Sequence, residues 1–155
     1  MTITHPLTDQ EIVDIAPLGA IIAFSDGTPK PPERFHKKLN AWQSQNGSGR
    51  LTRKTKSANP AYRDTFTLHI GNHGSNGTIV VSYNTTFMLG GAKKFAIVET
   101  PAVGSVRVLH QWGGEPELLH VASSHVAAEA WLRDHRYSNV ILEDVVAISP
   151  AGVAA

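Results

Sequence analysis

The chain has 155 residues and no cysteine, with 41% hydrophobic and 17% charged residues. That is the size and make-up of one ordinary globular domain, able to bury about two-thirds of its unfolded surface and too apolar for a disordered chain. The lack of cysteine excludes a disulfide framework, a thiolate metal site and a cysteine nucleophile.

Thr8, with Glu11 three residues on, forms a capping box, and Leu7 and Ile12 stand at the staple positions around it. A short helix is predicted there, ended by Pro17. Residues 18–24 form an apolar run that reads as a buried strand, closed by the turn residues Ser25, Asp26, Gly27 and Thr28. After Pro29 and Pro31, Pro32 suits the first position of a helix running to Gln45, with Asn46 and Gly47 as its stop. Phe35, Leu39 and Trp42 lie on one stripe of that helix, which predicts that Phe35 and Trp42 anchor it to the core. Residues 50–56 alternate weakly and hold four bases, so an edge strand or extended arm is predicted, broken by Asn59-Pro60.

The clearest β signal is the pair of segments 65–70 and 78–88 around Asn76-Gly77, a dipeptide suited to a type I′ turn. Centring on that turn pairs Phe66 with Phe87, Leu68 with Thr85, Ile70 with Tyr83 and Gly74 with Ile79, which makes one face mostly apolar. Residues 94–99, 105–112 and 117–122 follow as strands between Gly- and Pro-containing turns. A helix from His125 to about Arg136 is predicted next, capped by Ser124 and buried through Val126, Ala127, Ala130 and Trp131. Residues 140–148 read as a final strand and 150–155 as a loose tail. Two to three helices and about eight strands in sequential hairpins predict an α+β fold with a mainly antiparallel sheet, in a single domain over residues 1–149.

Charge is distributed unevenly. Residues 30–63 hold nine Lys and Arg against the single acid Glu33, a net +8, whereas residues 1–29 carry −4 and residues 64–155 carry −3. Arg50, Arg53, Lys54 and Lys56 are interleaved with Gly, Ser and Thr, small neighbours that let a phosphate backbone approach. Lys37 and Lys38 precede them on the predicted helix, and Tyr62 beside Arg63 is the best-placed base-stacking ring. The bland reading is that these bases face the acidic flanks.

Other constellations are thinner. His69 and His73 have a two-ligand spacing only on a helix, and in a strand they stand about 13 Å apart. Simple pairing sends His110 and His120 to opposite faces, unless a bulge intervenes. Neither a metal nor a cofactor is predicted. Asp26 with His36 or His73 and a nearby serine is the only arrangement that suggests a small hydrolase or nuclease.

The longest nearly apolar run, residues 16–24, is half of the roughly 18 residues a spanning helix needs, and the N-terminus lacks the pattern of a signal peptide. A soluble, cytoplasmic protein without membrane contact is therefore expected. The composite expectation is a non-enzymatic protein that binds the backbone of DNA or RNA with low specificity through Lys37, Lys38, Arg50, Arg53, Lys54, Lys56, Tyr62 and Arg63. The alternatives are an adaptor or inhibitor docking an acidic protein surface, and the Asp26 hydrolase or nuclease.

Overall fold

Thr8 opens the first helix, α1 (Asp9–Ile15), as the spacing predicts: its side chain accepts from the Glu11 N–H, and the Glu11 carboxylate reaches back to the Thr8 backbone. The computed structural model describes residues 6–75, 78–111 and 113–147. The turn at Asn76-Gly77, the side chains of His73 and Trp112 and the tail 150–155 lie outside the described residues. Three helices and eight strands are described, in an α+β fold with two antiparallel sheets. Contacts divide the chain into two compact units, Met1–Glu99 and Thr100–Ala155.

The first unit continues with β1 (Ile21–Ser25), α2 (His36–Gln45), β2 (Gly47–Thr55), β3 (Thr65–Ser75), β4 (Thr78–Met88) and β5 (Lys94–Glu99). Its sheet has the order β4-β3-β2-β1-β5. In a flat sheet the outer strands would stand about 19 Å apart, four spacings of about 4.8 Å. Yet Phe87 of β4 and Phe95 of β5 have ring centroids 5.3 Å apart. The sheet is therefore curled so that its two edge strands face each other across a shared interior. Phe24, Phe66, Phe87 and Phe95 fill that interior in mostly tilted pairs, the geometry aromatic quadrupoles favour. Ile12, Val13 and Ala16 of the α1 segment close it together with Leu7, which bridges Phe95.

The β3–β4 hairpin keeps the expected partners Phe66–Phe87, Leu68–Thr85 and Gly74–Ile79. Between them the register shifts twice, so Tyr83 faces Gly71 and not Ile70. A glycine at such an irregularity is in character, and Ile70 and Tyr83 turn out to be exposed. The larger correction concerns β2. It is the middle strand of the sheet, paired with β1 on one side and β3 on the other, and not an edge strand. Gly47, Gly49 and three bases, Arg50, Arg53 and Lys54, weaken its strand signal, but Gly49 is required: a Cβ there would lie 2.8 Å from the His69 carbonyl oxygen across the ladder.

The second unit holds β6 (Val106–His110), β7 (Glu117–Ala122), α3 (His125–Asp134) and β8 (Val140–Asp144), with sheet order β7-β6-β8. Ser124 caps α3 by accepting from the Ala127 N–H at 3.1 Å. The buried face of α3 is Ala128 with Ala127, Trp131 and Leu132 against Val106, Val108 and Ala122, whereas Val126, expected inside, is exposed. The register shifts between Val108 and Leu109, so His120 stands opposite Val108 and His110 opposite Glu117. Residues opposite each other in an antiparallel pair share a face, and so do residues two apart in one strand. His110 and His120 therefore both face α3, contrary to the simple pairing.

Candidate nucleic-acid interface

The basic segment is distributed over three places with different surroundings. The first is α2, approached through Pro29, Pro31 and Pro32. The helix starts at His36 and not at Pro32: the Phe35 N–H closes a separate turn on the Pro32 carbonyl at 3.0 Å, and Phe35 at the N-cap makes no side-chain capping bond. No residue of α2 is buried, and it contains no acid. Phe35 is 41% exposed, so its reading as a core anchor is overturned; the interior that it would have filled is occupied by the four strand phenylalanines. Instead the Arg34 guanidinium lies 4.9 Å and the Lys38 ammonium 5.2 Å from the Phe35 ring centroid. Trp42 is half-buried and its indole N–H donates to the Thr28 carbonyl at 3.0 Å, tying the helix to the turn after β1. Lys30, Arg34, Lys37 and Lys38 are all exposed.

The second place is β2 itself. Arg50, Arg53 and Lys54 are half-buried. The Arg50 guanidinium donates to the Gly19 carbonyl at 2.7 Å. The Lys54 ammonium donates to the carbonyls of Ala16 at 2.7 Å and Val13 at 3.3 Å, at the C-terminal end of α1, where a cation also meets the negative end of the helix dipole. Long stems lie along the sheet while the charged heads reach backbone oxygens. Arg53 stands opposite Thr67.

The third place is the loop between β2 and β3, with Lys56, Tyr62 and Arg63 exposed and Tyr62 at 71%. Asn59 shapes it by accepting from the Ala61 N–H, and Asp64 accepts from the Ser57 N–H. Arg63 places one donor on the Leu89 carbonyl at 3.2 Å. Nine residues of β2 separate this loop from the end of α2, a span of about 26 Å at the rise of a strand. The expected residues thus do not form one continuous arm: Lys37 and Lys38 lie together on α2, Lys56, Tyr62 and Arg63 lie together on the loop, and the three strand bases sit between them in a sheet. Lys30, Arg34 and Phe35 were not among the expected contacts, although the sequence signal was present: an aromatic residue with cations one position before and three after it, on a stretch whose only acid is Glu33.

Asp26 has a structural task. Its Oδ1 accepts from the Thr28 hydroxyl at 2.6 Å, the Thr28 N–H at 3.0 Å and the Asn46 amide at 3.1 Å, joining the turn after β1 to the end of α2. These bonds, the Thr28 hydroxyl first, hold its carboxyl below the usual value.

A family model described as "Uncharacterised conserved protein UCP036055" matches residues 7–149. The chain belongs to this family. No curated protein and no solved structure matches it. In this UCP036055 member no helix is long and apolar enough to cross a membrane, and no group of three or more His, Asp or Glu side chains is arranged to hold a metal ion, both among the described residues.

Proposed function

We propose that the protein binds the phosphate backbone of a nucleic acid, without base specificity at this surface, through Lys37 and Lys38 of α2 and Lys30 and Arg34 of the segment leading into it, with Lys56, Tyr62 and Arg63 of the loop as a second point of contact. The observation that carries the reading is a ten-residue helix with no fully buried residue and no acid, preceded at its N-cap by an exposed, cation-flanked phenylalanine. Lys37, Lys38 and Arg63 are exposed, whereas Arg50 and Lys54 are half-buried along the sheet with carbonyl partners. The cysteine-free composition suits a reducing compartment, and the cytoplasm is the address we propose.

Each phosphate neutralised by a lysine or arginine releases condensed counterion, so log affinity falls with log salt by about 0.7 to 0.9 per contact. An electrophoretic shift series with single-stranded DNA, duplex DNA and RNA across several salt concentrations tests this. Lys37→Gln with Lys38→Gln is expected to lower the salt slope by about one to two and to weaken unrelated sequences alike, since backbone contacts carry no base information. No polynucleotide binding even near about 50 mM salt overturns the proposal, and docking on an acidic protein surface then becomes the better account of α2.

A further inference from the structure

The rings of the two units pack differently. In the first unit three of the four phenylalanine pairs are tilted or edge-on, at 57°, 73° and 85°. In the second unit Trp131 of α3 lies parallel to three rings at once: His120 at 5.0 Å and 3°, His135 at 4.2 Å and 9°, and Tyr137 at 5.8 Å and 3°. The bulge in the β6–β7 pairing and the end of α3 together create this arrangement. The bulge turns His120 and His110 towards α3, and His110 leans on Tyr137 at 6.0 Å. At the end of α3 the His135 N–H and the His135 Nδ1 both bond the Trp131 carbonyl, at 2.9 and 3.0 Å, and the Tyr137 N–H bonds the His135 carbonyl at 3.0 Å. The outer rings are thus held by the backbone while remaining accessible: His135 is exposed and Tyr137 is 49% exposed. Arg133 and Arg136 flank them, also exposed.

We propose that this shelf stacks unpaired nucleobases of a single strand, with Arg133 and Arg136 on the adjoining phosphates. Parallel flat rings are the geometry of stacked bases, and a further planar ring extends the series without moving it. Tyr, Trp and His rings beside arginine guanidinium groups are the side chains from which single-strand platforms are built. Fully paired duplex offers no free base face to such a shelf. The inference rests on the polyanion reading of α2 for the class of its ligand, and it adds the strandedness: the second unit prefers single strands.

The test uses full-length protein carrying Trp42→Phe and Trp112→Phe, so that Trp131 alone reports by fluorescence, titrated with oligothymidylate, with a duplex of equal charge and with heparin as a polyanion without bases. Quenching of Trp131 by oligothymidylate only, and a loss of about tenfold in oligothymidylate affinity on His135→Ala with Tyr137→Ala, is the expected result, a size appropriate to one lost base stack. The salt slope is expected to stay unchanged in that double variant, because stacking releases no counterion. Both truncated side chains lie outside the buried core, and Trp131→Phe, which keeps a flat ring, is expected to retain most of the affinity. If the wild type binds single strands but the double variant binds them equally well, or if the duplex binds as tightly, the shelf is overturned and the backbone reading of α2 stands. Quenching by heparin as strong as by oligothymidylate overturns base stacking. If no polynucleotide binds, both readings fall.

Discussion

The lysines of α2 and Lys54 of β2 belong to one basic run, yet the fold gives them different surroundings. Lys37 and Lys38 extend from a helix without a buried residue, while Lys54, in the middle strand of a curled sheet, ends on two backbone carbonyls of α1. A charge run is a statement about composition; the availability of each charge depends on whether main-chain oxygens lie within reach of its stem. A cation beside the unsatisfied carbonyls of a helix end acts as a cap; a cation on a helix with no buried residue stays exposed.

The largest effect is expected at Lys54. Lys54→Ala leaves the Val13 and Ala16 carbonyls without their ammonium donor, and is expected to destabilise the fold by about 1–3 kcal/mol in urea unfolding. Lys38→Ala is expected to stay within about 0.5 kcal/mol; equal effects would mean the two regions do not differ. Arg50→Ala removes one bond, to the Gly19 carbonyl, and should cost about 1 kcal/mol, with no change in the salt slope of any polynucleotide binding. Thr8→Ala removes the cap of α1, the helix that Lys54 closes at its other end; a loss of about 1 kcal/mol is expected, and a double-mutant cycle with Lys54→Ala reads how strongly the two ends couple.

The smallest effect concerns pH. The Thr28 and Asn46 donors depress the Asp26 carboxyl, so the charged form is favoured in the folded chain. The stability this carboxylate contributes is present above its unfolded value, about 3.9, and is lost as pH falls through the lower folded value. Carboxyl titration by NMR is expected to show Asp26 ionising below an ordinary aspartate, and Asp26→Asn is expected to remove its contribution to the acid limb of the stability curve. A raised value would reopen the use of Asp26 as a general acid.

Much of the local structure was legible because it is decided by neighbours in the chain. The Thr8–Glu11 capping box, the Ser124 cap and the bounds of β4, β5 and β7 agree with spacing and turn chemistry, as does the α+β class. The hairpin register was legible at Phe66, Leu68 and Gly74 but not at Ile70, since a register shift moves one residue without altering the alternation on either side. The site was less legible: Lys37, Lys38 and Tyr62 are as exposed as their surroundings in sequence suggest, whereas Phe35 left a core that four strand phenylalanines had already filled.

Which strand is central, how the sheet curls and which bases are consumed follow from long-range packing. A strand's place in a sheet depends on pairing with segments far along the chain, and β2 reads as an edge because its glycines carry little β propensity and its three bases are the charges that edges usually hold. Curling depends on packing across the interior, where Phe87 and Phe95 meet from opposite ends of the strand order. Where charges and rings stand along the chain is set by residue type and local spacing. Whether Lys54 meets a carbonyl or a solvent-facing ligand is settled by a helix 38 residues earlier in the chain, a relation that no local pattern encodes.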